Sequence, residues 1–285
     1  MISRRLRWTL AIGLAVTGAV WAFQKPFRVM RSLEAYDNVA LPPDWNEKAE
    51  WVQARMMYPQ HPNARFGRGG MYGFGRWGLD WREGGTSWTQ DYPRADRHFA
   101  QSVRRLTRVH ARSVEQPNNP DDLDDFFNWP WMVAGEMGDW KLTPAQAGTL
   151  REYLLRGGFL YMDDFWNDDE WNRFMESMRM VFPDRQVVEI ELDDASNHTV
   201  YDLTDRIQIL GMWSFRRGGM SQRAVGTVSH WRGIYDDKGR LMVAMTFNND
   251  VGDSWEFADD PTYPEEMSHL GIRLGINFVV YSMTH

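Results

Sequence analysis

The sequence predicts an α/β protein, a three-layer sandwich built on a mostly parallel sheet. Three observations predict it. Between residues 131 and 192 short apolar runs alternate with segments of helical period. Strands that alternate with helices over short connections pair in parallel and carry those helices on the sheet faces. The runs at 131–136 (WMVAGE) and 159–163 (FLYMD) are short and rich in apolar residues, as strands covered on both faces are. Finally, 285 residues of which 43% are hydrophobic suffice for one sizeable core, and neither an internal repeat nor a Pro/Ser linker divides the chain.

The elements follow in order. Residues 52–58 (VQARMMY) alternate as a first strand. Residues 66–88, rich in glycine and aromatics and without a period, read as a long surface loop. Asp91 is placed to cap a helix that starts near Pro93 and runs through Leu106, with Phe99, Val103 and Leu106 on one face. Thr143-Pro144-Ala145-Gln146 is a capping box with proline at the first helical position. Its helix carries Ala147, Leu150, Tyr153 and Leu154 at helical spacing, and Gly157-Gly158 stops it. After the 159–163 strand, Asn167 caps a helix whose first turn, Asp168-Asp169-Glu170, suits the helix dipole. Trp171, Phe174, Met175, Met178 and Phe182 form its apolar face, Pro183 ends it, and residues 186–192 (QVVEIEL) read as strand. A hairpin is expected over 233–247 around Asp236-Asp237-Lys238-Gly239, and a last helix over 264–281.

The N-terminus reads as an address. Residues 1–7 are basic and 8–23 form an apolar or small-residue run, the pattern of a bacterial export signal. Val20 and Ala22 supply small residues for a cleavage site, and a single uncleaved membrane anchor is the alternative. Residues 1–26 are thus a signal peptide or anchor, 27–50 a connecting segment, and 51–285 one domain. Removing the four basic residues of the first 26 takes the formal charge from −7 to −11. So acidic a body disfavours nucleic acid, whose affinity comes from phosphate neutralisation by Lys and Arg. The remaining partners are a small ligand or an envelope protein, with membrane contact only through the N-terminal segment.

Chemistry is bounded first by the absence of cysteine, which removes disulfides, thiolate metal sites, iron–sulfur clusters and a Cys nucleophile. The seven histidines show no HExxH or close-pair zinc spacing. Gly73-Phe74-Gly75-Arg76-Trp77-Gly78 matches the dinucleotide fingerprint, but glycine-rich loop flanks it where strand and helix are required.

Several segments, taken together, resemble a bacterial family called domain of unknown function 4159. They are 154–164 (LLRGGFLYMDD), 91–97 (DYPRADR), 182–185 (FPDR), 248–255 and the ending 274–281 (LGINFVVY). The resemblance covers roughly 51–285. It implies a flavodoxin-like, class I glutamine-amidotransferase-like fold and no established activity. In glutaminases of that fold the nucleophile is a cysteine at a strand-to-helix elbow; here that turn carries Asp163-Asp164-Phe165-Trp166, so glutaminase chemistry is excluded. Where a Gly-His-Gly-like turn is expected after the 131–136 strand, Gly135-Glu136-Met137-Gly138 stands instead.

Ligands of open parallel sheets bind beyond the carboxyl ends of the strands. Glu136, and Asp163 and Asp164, are expected at that edge, with Asn249 and Asp250 beside them if 241–247 joins the same sheet. Glu136, one of the two aspartates and Asp250 offer oxygen-only ligation suited to Ca²⁺ or Mg²⁺; against this, Asp163 or Asp164 can cap a helix or bind backbone amides. Asp91, Trp255 and its neighbours Asp253 and Glu256 are candidates for the rim, and His198, after Asp193-Asp194, for a base. Tyr72, Phe74, Trp77, Trp81 and Trp88 suggest either stacking on a ligand or rings folded over the sheet edge. Two functions fit. The first is a non-catalytic, ligand- or partner-binding amidotransferase-like domain of the cell envelope; the second is a metal-assisted envelope hydrolase.

Overall fold

The computed structural model of the chain describes residues 26–34, 39–65, 80–216 and 223–285. The expected export signal or anchor, most of the glycine-rich loop and the fingerprint match lie outside the described residues. Among the described residues no helix is long and apolar enough to cross a membrane.

Seven strands form one sheet. They are β1 (Ala54–Met56), β2 (Gln116–Asn118), β3 (Trp131–Ala134), β4 (Phe159–Met162), β5 (Val188–Glu189), β6 (His230–Tyr235) and β7 (Leu241–Phe247), in the order β2-β1-β3-β4-β7-β6-β5. The pairs from β2 to β7 are parallel, with Trp131 opposite Phe159 and Met162 opposite Met245. β6 is antiparallel to both neighbours, so it alone runs against the sheet. The protein is therefore an α/β protein with a mostly parallel seven-stranded sheet.

Successive side chains of a strand point to opposite faces, and the core divides accordingly. Leu160 and Met162 face one side and pack with Ala147, Leu150 and Leu154 of α3 (Pro144–Leu155) and Phe174 and Met178 of α4 (Asn167–Val181). Phe159 and Tyr161 face the other, with Phe99 and Val103 of α1 (Arg94–Leu106), Trp255 of α6 (Val251–Glu256), and Leu274 and Phe278 of α7 (Glu265–Thr284). Short helices α2 (Leu123–Phe126) and α5 (Met212–Arg216) complete the set described.

The punctuation of α3 is as expected. Thr143 Oγ1 accepts from Gln146 N–H, Gln146 Oε1 accepts from Thr143 N–H, and Gly157 turns the chain out at φ 111°. Asn167 Oδ1 accepts from Asp169 and Glu170 N–H, satisfying the first turn of α4.

Two expectations need correction. The strand expected over 186–192 pairs only at Val188–Glu189 and lies at the sheet edge beyond β6. All seven residues of β7 are buried, so β7 takes the covered place beside β4, while β5, with Val188 at 42% exposure, suits an edge. Leu106, expected on the apolar face of α1, is exposed. Arg97 of α1 meets Glu115, and Asp96 pairs with Arg55 of β1. Of the expected loop aromatics, Trp88 is buried, its indole N–H donating to the Trp81 carbonyl.

Candidate functional site

Three adjacent strands end alike. Glu136 follows β3 at φ 51°, Asp164 follows β4 at φ 49°, and Asn248 follows β7 at φ 60°. The left-handed region is uncommon for residues other than glycine; Asn and Asp enter it most readily and Glu less so. Such positions held by surrounding structure concentrate at functional sites. Here the turns are laced together: Asp164 N–H donates to the Asn249 carbonyl, Asn248 N–H to that of Phe165, and Asn167 N–H to Asn248 Oδ1. Asn249 is fully buried, its Oδ1 accepting from Ile209 N–H and its Nδ2 donating to the Phe247 carbonyl.

On one side of this edge stands Arg223. Its guanidinium reaches Glu136 Oε2 at 3.0 Å, Asp164 Oδ1 at 3.2 Å and Glu170 Oε2 at 2.7 Å. One cation thus serves three buried carboxylates, with Arg65 Nη1 3.7 Å from Glu136 as a further charge. Burial alone pushes the Asp164 carboxyl up, but Arg223 beside it prevails and holds it below the usual carboxylate range. Glu136 goes the other way, since its burial outweighs Arg223.

On the other side the carboxylates stand together. Asp91, Asp250 and Asp253 each bring one carboxylate oxygen within 4.8 Å of the others, and Glu34, Asp91 and Glu256 do the same. Asp250 Oδ1 accepts from Asp253 N–H, Asp253 Oδ2 from Met212 N–H, and Glu34 Oε2 from Asp91 N–H. None of Asp91, Asp250 and Asp253 forms a salt bridge to Arg, Lys or His among the described residues; Arg55, whose charge acts on Asp91, is paired with Asp96. Burial, then the charge of neighbouring carboxylates (Asp253 on Asp91, Asp164 on Asp250, Glu256 on Asp253), pushes all three well above the usual range. Glu34 is pushed up to about 7 for the same reasons. Two glycines make room: a Cβ on Gly252 would lie 2.3 Å from Asp91 Oδ2, and one on Gly211 2.3 Å from Asp250 Oδ2.

Asp163 links the two sides. Its Oδ2 accepts from Gly252 N–H at 2.7 Å, and burial followed by the charge of Asp164 pushes its carboxyl up to about 7. Carboxylates so buried must keep protons or meet a cation. Oxygen ligands from several backbone elements are the donor set that hard divalent cations take.

The model of the family described as domain of unknown function (DUF4159) matches residues 79–283. The chain belongs to that family. A search of curated proteins returned no match. The segment of domain of unknown function 4159 runs from the approach to α1 through α7, and it contains every carboxylate of the edge except Glu34.

Within that segment the expected site residues part company. Glu136, Asp163, Asp164, Asp250 and Asp91 come together at the strand ends. Asp91 does so by a different route from the cap expected of it: only its backbone carbonyl takes the Ala95 N–H, while its side chain turns to the edge at φ 59°. Asn249 is a bracket inside the turn. Trp255 is core, 1% exposed and stacked on Phe99 at 4.1 Å, with its N–H on the Gly271 carbonyl. His198 bonds Asp202 and the Leu192 carbonyl and makes no hydrogen bond to the edge. Of the acidic first turn of α4, Asp168 and Asp169 are exposed as the dipole argument expects, but Glu170 turns to Arg223. Arg223 and Glu34 escaped sequence reasoning, since each sits in an irregular segment without a period or motif to place it.

Proposed function

We propose that this chain is a non-catalytic, amidotransferase-like binding domain of the cell envelope whose carboxyl-edge crevice takes a hard divalent cation, Ca²⁺ or Mg²⁺. The observation that carries the reading is the meeting of Asp91, Asp250 and Asp253 within 4.8 Å without a salt-bridging base among the described residues. Asp91 lies before α1, Asp250 and Asp253 at the start of α6, so the ligand oxygens come from separate segments that the sheet holds in place. The place of Asp164, in a strand-to-helix turn at φ 49°, supports the amidotransferase-like fold. Its carboxylate is engaged by Arg223 and by the Trp166 indole N–H, which argues for a structural rather than a nucleophilic role. Export rests on the basic, then apolar, N-terminal pattern.

A second reading, a metal-assisted hydrolase, is favoured by Asp163. A carboxyl near 7 next to a cation site is matched to general-base work.

The test is thermal unfolding of the full chain, stripped with chelator and then given Ca²⁺ or Mg²⁺. Cation at 100 times its Kd adds about 2.7 kcal/mol, or roughly 5–10 °C for a body of this size. The gain should vanish in Asp91→Asn and Asp253→Asn. No shift with either ion in the native chain would overturn the reading. Ion-dependent hydrolysis of envelope glycan or peptide, lost in Asp163→Asn, would favour the second.

A further inference from the structure

The opposite end of the sheet carries a different cavity. It has a volume of 460 Å³, within the range of about 300–1,000 Å³ typical of small-molecule sites. It lies at the amino ends of the strands, between the connecting segment and the residues that precede β1 and β3, so it is separate from the carboxyl edge. Its wall sets a group of rings around the Arg112 guanidinium, with Lys48 also on the wall. The Phe27 ring lies 5.9 Å from that of Trp45, and the Arg112 guanidinium sits 5.6 Å from Phe27 and 5.5 Å from Trp129.

Arg112 is held rigidly. Nε donates to the Val114 carbonyl, and Nη2 to the Glu115 carbonyl and Gln116 Oε1. Nη1 has no hydrogen-bond partner and the guanidinium no salt bridge among the described residues. Burial lowers its pKa to about 10, against the pull of Glu115 and Asp125. The carboxylates on the cavity wall are turned elsewhere: Glu47 to His110 and Arg104, Glu50 to the His110 N–H. Trp45, by contrast, is 37% exposed, a ring face open to a ligand.

We propose that this cavity binds a carboxylate-bearing sugar. The carboxylate would accept from Arg112 Nη1, a charge-assisted bond to a preorganised guanidinium. The apolar C–H face of the ring would lie on Trp45, burying apolar surface on a large rigid aromatic. Both features are needed: the ring platform selects against small anions, and the guanidinium against neutral sugars.

The experiment is saturation-transfer NMR on the full chain with D-glucuronate as the probe, and D-glucose and acetate as comparisons. Transfer to the glucuronate ring protons is expected, with glucose bound at least about tenfold more weakly for want of one charge-assisted hydrogen bond, and acetate bound more weakly because it has no ring face to bury on Trp45. Arg112→Gln should remove the preference for glucuronate over glucose. Because that change also loosens the bonds to residues 114–116, Trp45→Ala, at a half-open surface position, is the companion: it should weaken glucuronate binding severalfold while the unfolding temperature stays within about 2 °C. No transfer to glucuronate, equal binding of glucose, or undiminished binding in Trp45→Ala overturns the proposal.

Discussion

Asp163 Oδ2 accepts the Gly252 N–H at 2.7 Å, so the residue just after β4 holds the first turn of α6. The same glycine carries no Cβ because Asp91 Oδ2 fills the space where one would stand. One backbone position thus fixes the carboxylates of two distant segments.

Gly252→Ala follows directly. A methyl 2.3 Å from a carboxylate oxygen forces Asp91 or the start of α6 to move. Overpacking of this kind costs about 1–3 kcal/mol. Urea unfolding should show that loss, and titration calorimetry should show weaker cation binding than in the native chain. An unchanged cation affinity would separate Asp91 from the site.

Arg223→Ala removes the cation from three carboxylates whose side chains are each at most 8% exposed. Stranding buried charges costs about 3–5 kcal/mol. The loss should be largest near pH 7 and shrink as the pH falls, because without Arg223 burial pushes the Glu136 and Asp164 carboxyls up and their protonation relieves the repulsion. Chemical unfolding at pH 5 and pH 7.5 measures it; an equal loss at both would show that Arg223 acts through packing alone.

The metal-free chain should lose stability as the pH rises. Asp163 and Glu34 sit at about 7 in the folded protein, against about 4 for unfolded carboxyls. A raised folded pKa means the native state holds protons that the unfolded state has released, so the contribution is complete below about pH 4 and disappears as the pH passes through 7. With chelator present, the unfolding temperature should fall between pH 5 and 8, and Ca²⁺ or Mg²⁺ should flatten the decline. A temperature that climbs over this range would contradict the burial of uncompensated carboxylates.

Trp255→Phe tests the assignment of that ring to the core. It keeps the stack on Phe99 in part but loses the indole bond to the Gly271 carbonyl. A loss of about 1–2 kcal/mol in stability, with cation affinity unaltered in calorimetry, is the expected pair of results.

Elements whose signals are local were legible in the sequence. The capping box at Thr143, the stop at Gly157-Gly158 and the hairpin turn at 236–239 depend on residues a few positions apart, and each stands where expected. The carboxyl edge was expected on general grounds, because α/β topology sends parallel strand ends to the same side, but which segments meet there depended on the strand order, which the sequence did not give. The placing of residues 186–192 was less legible. An apolar run says that a strand can form, but its neighbours are set by competition among all strands, and fully buried β7 displaced β5 to the edge.

The charges show the division most clearly. By itself the sequence determined that the body is acidic and that it has no thiol, and it pointed to Glu136, Asp163 and Asp164 at strand ends, with Asp250 there only if 241–247 joined the sheet. Only the tertiary structure decided which carboxylates meet a cation and which meet each other. Arg223 comes to Glu136 from 87 residues away, and Asp163 meets Gly252 across 89. Electrostatic pairing falls off over a few ångströms of space, whereas sequence patterns report only neighbours along the chain. Arg223 therefore carries no local mark of its partners, and the group of Asp91, Asp250 and Asp253, without a salt-bridging base among the described residues, exists only once the sheet has closed around it.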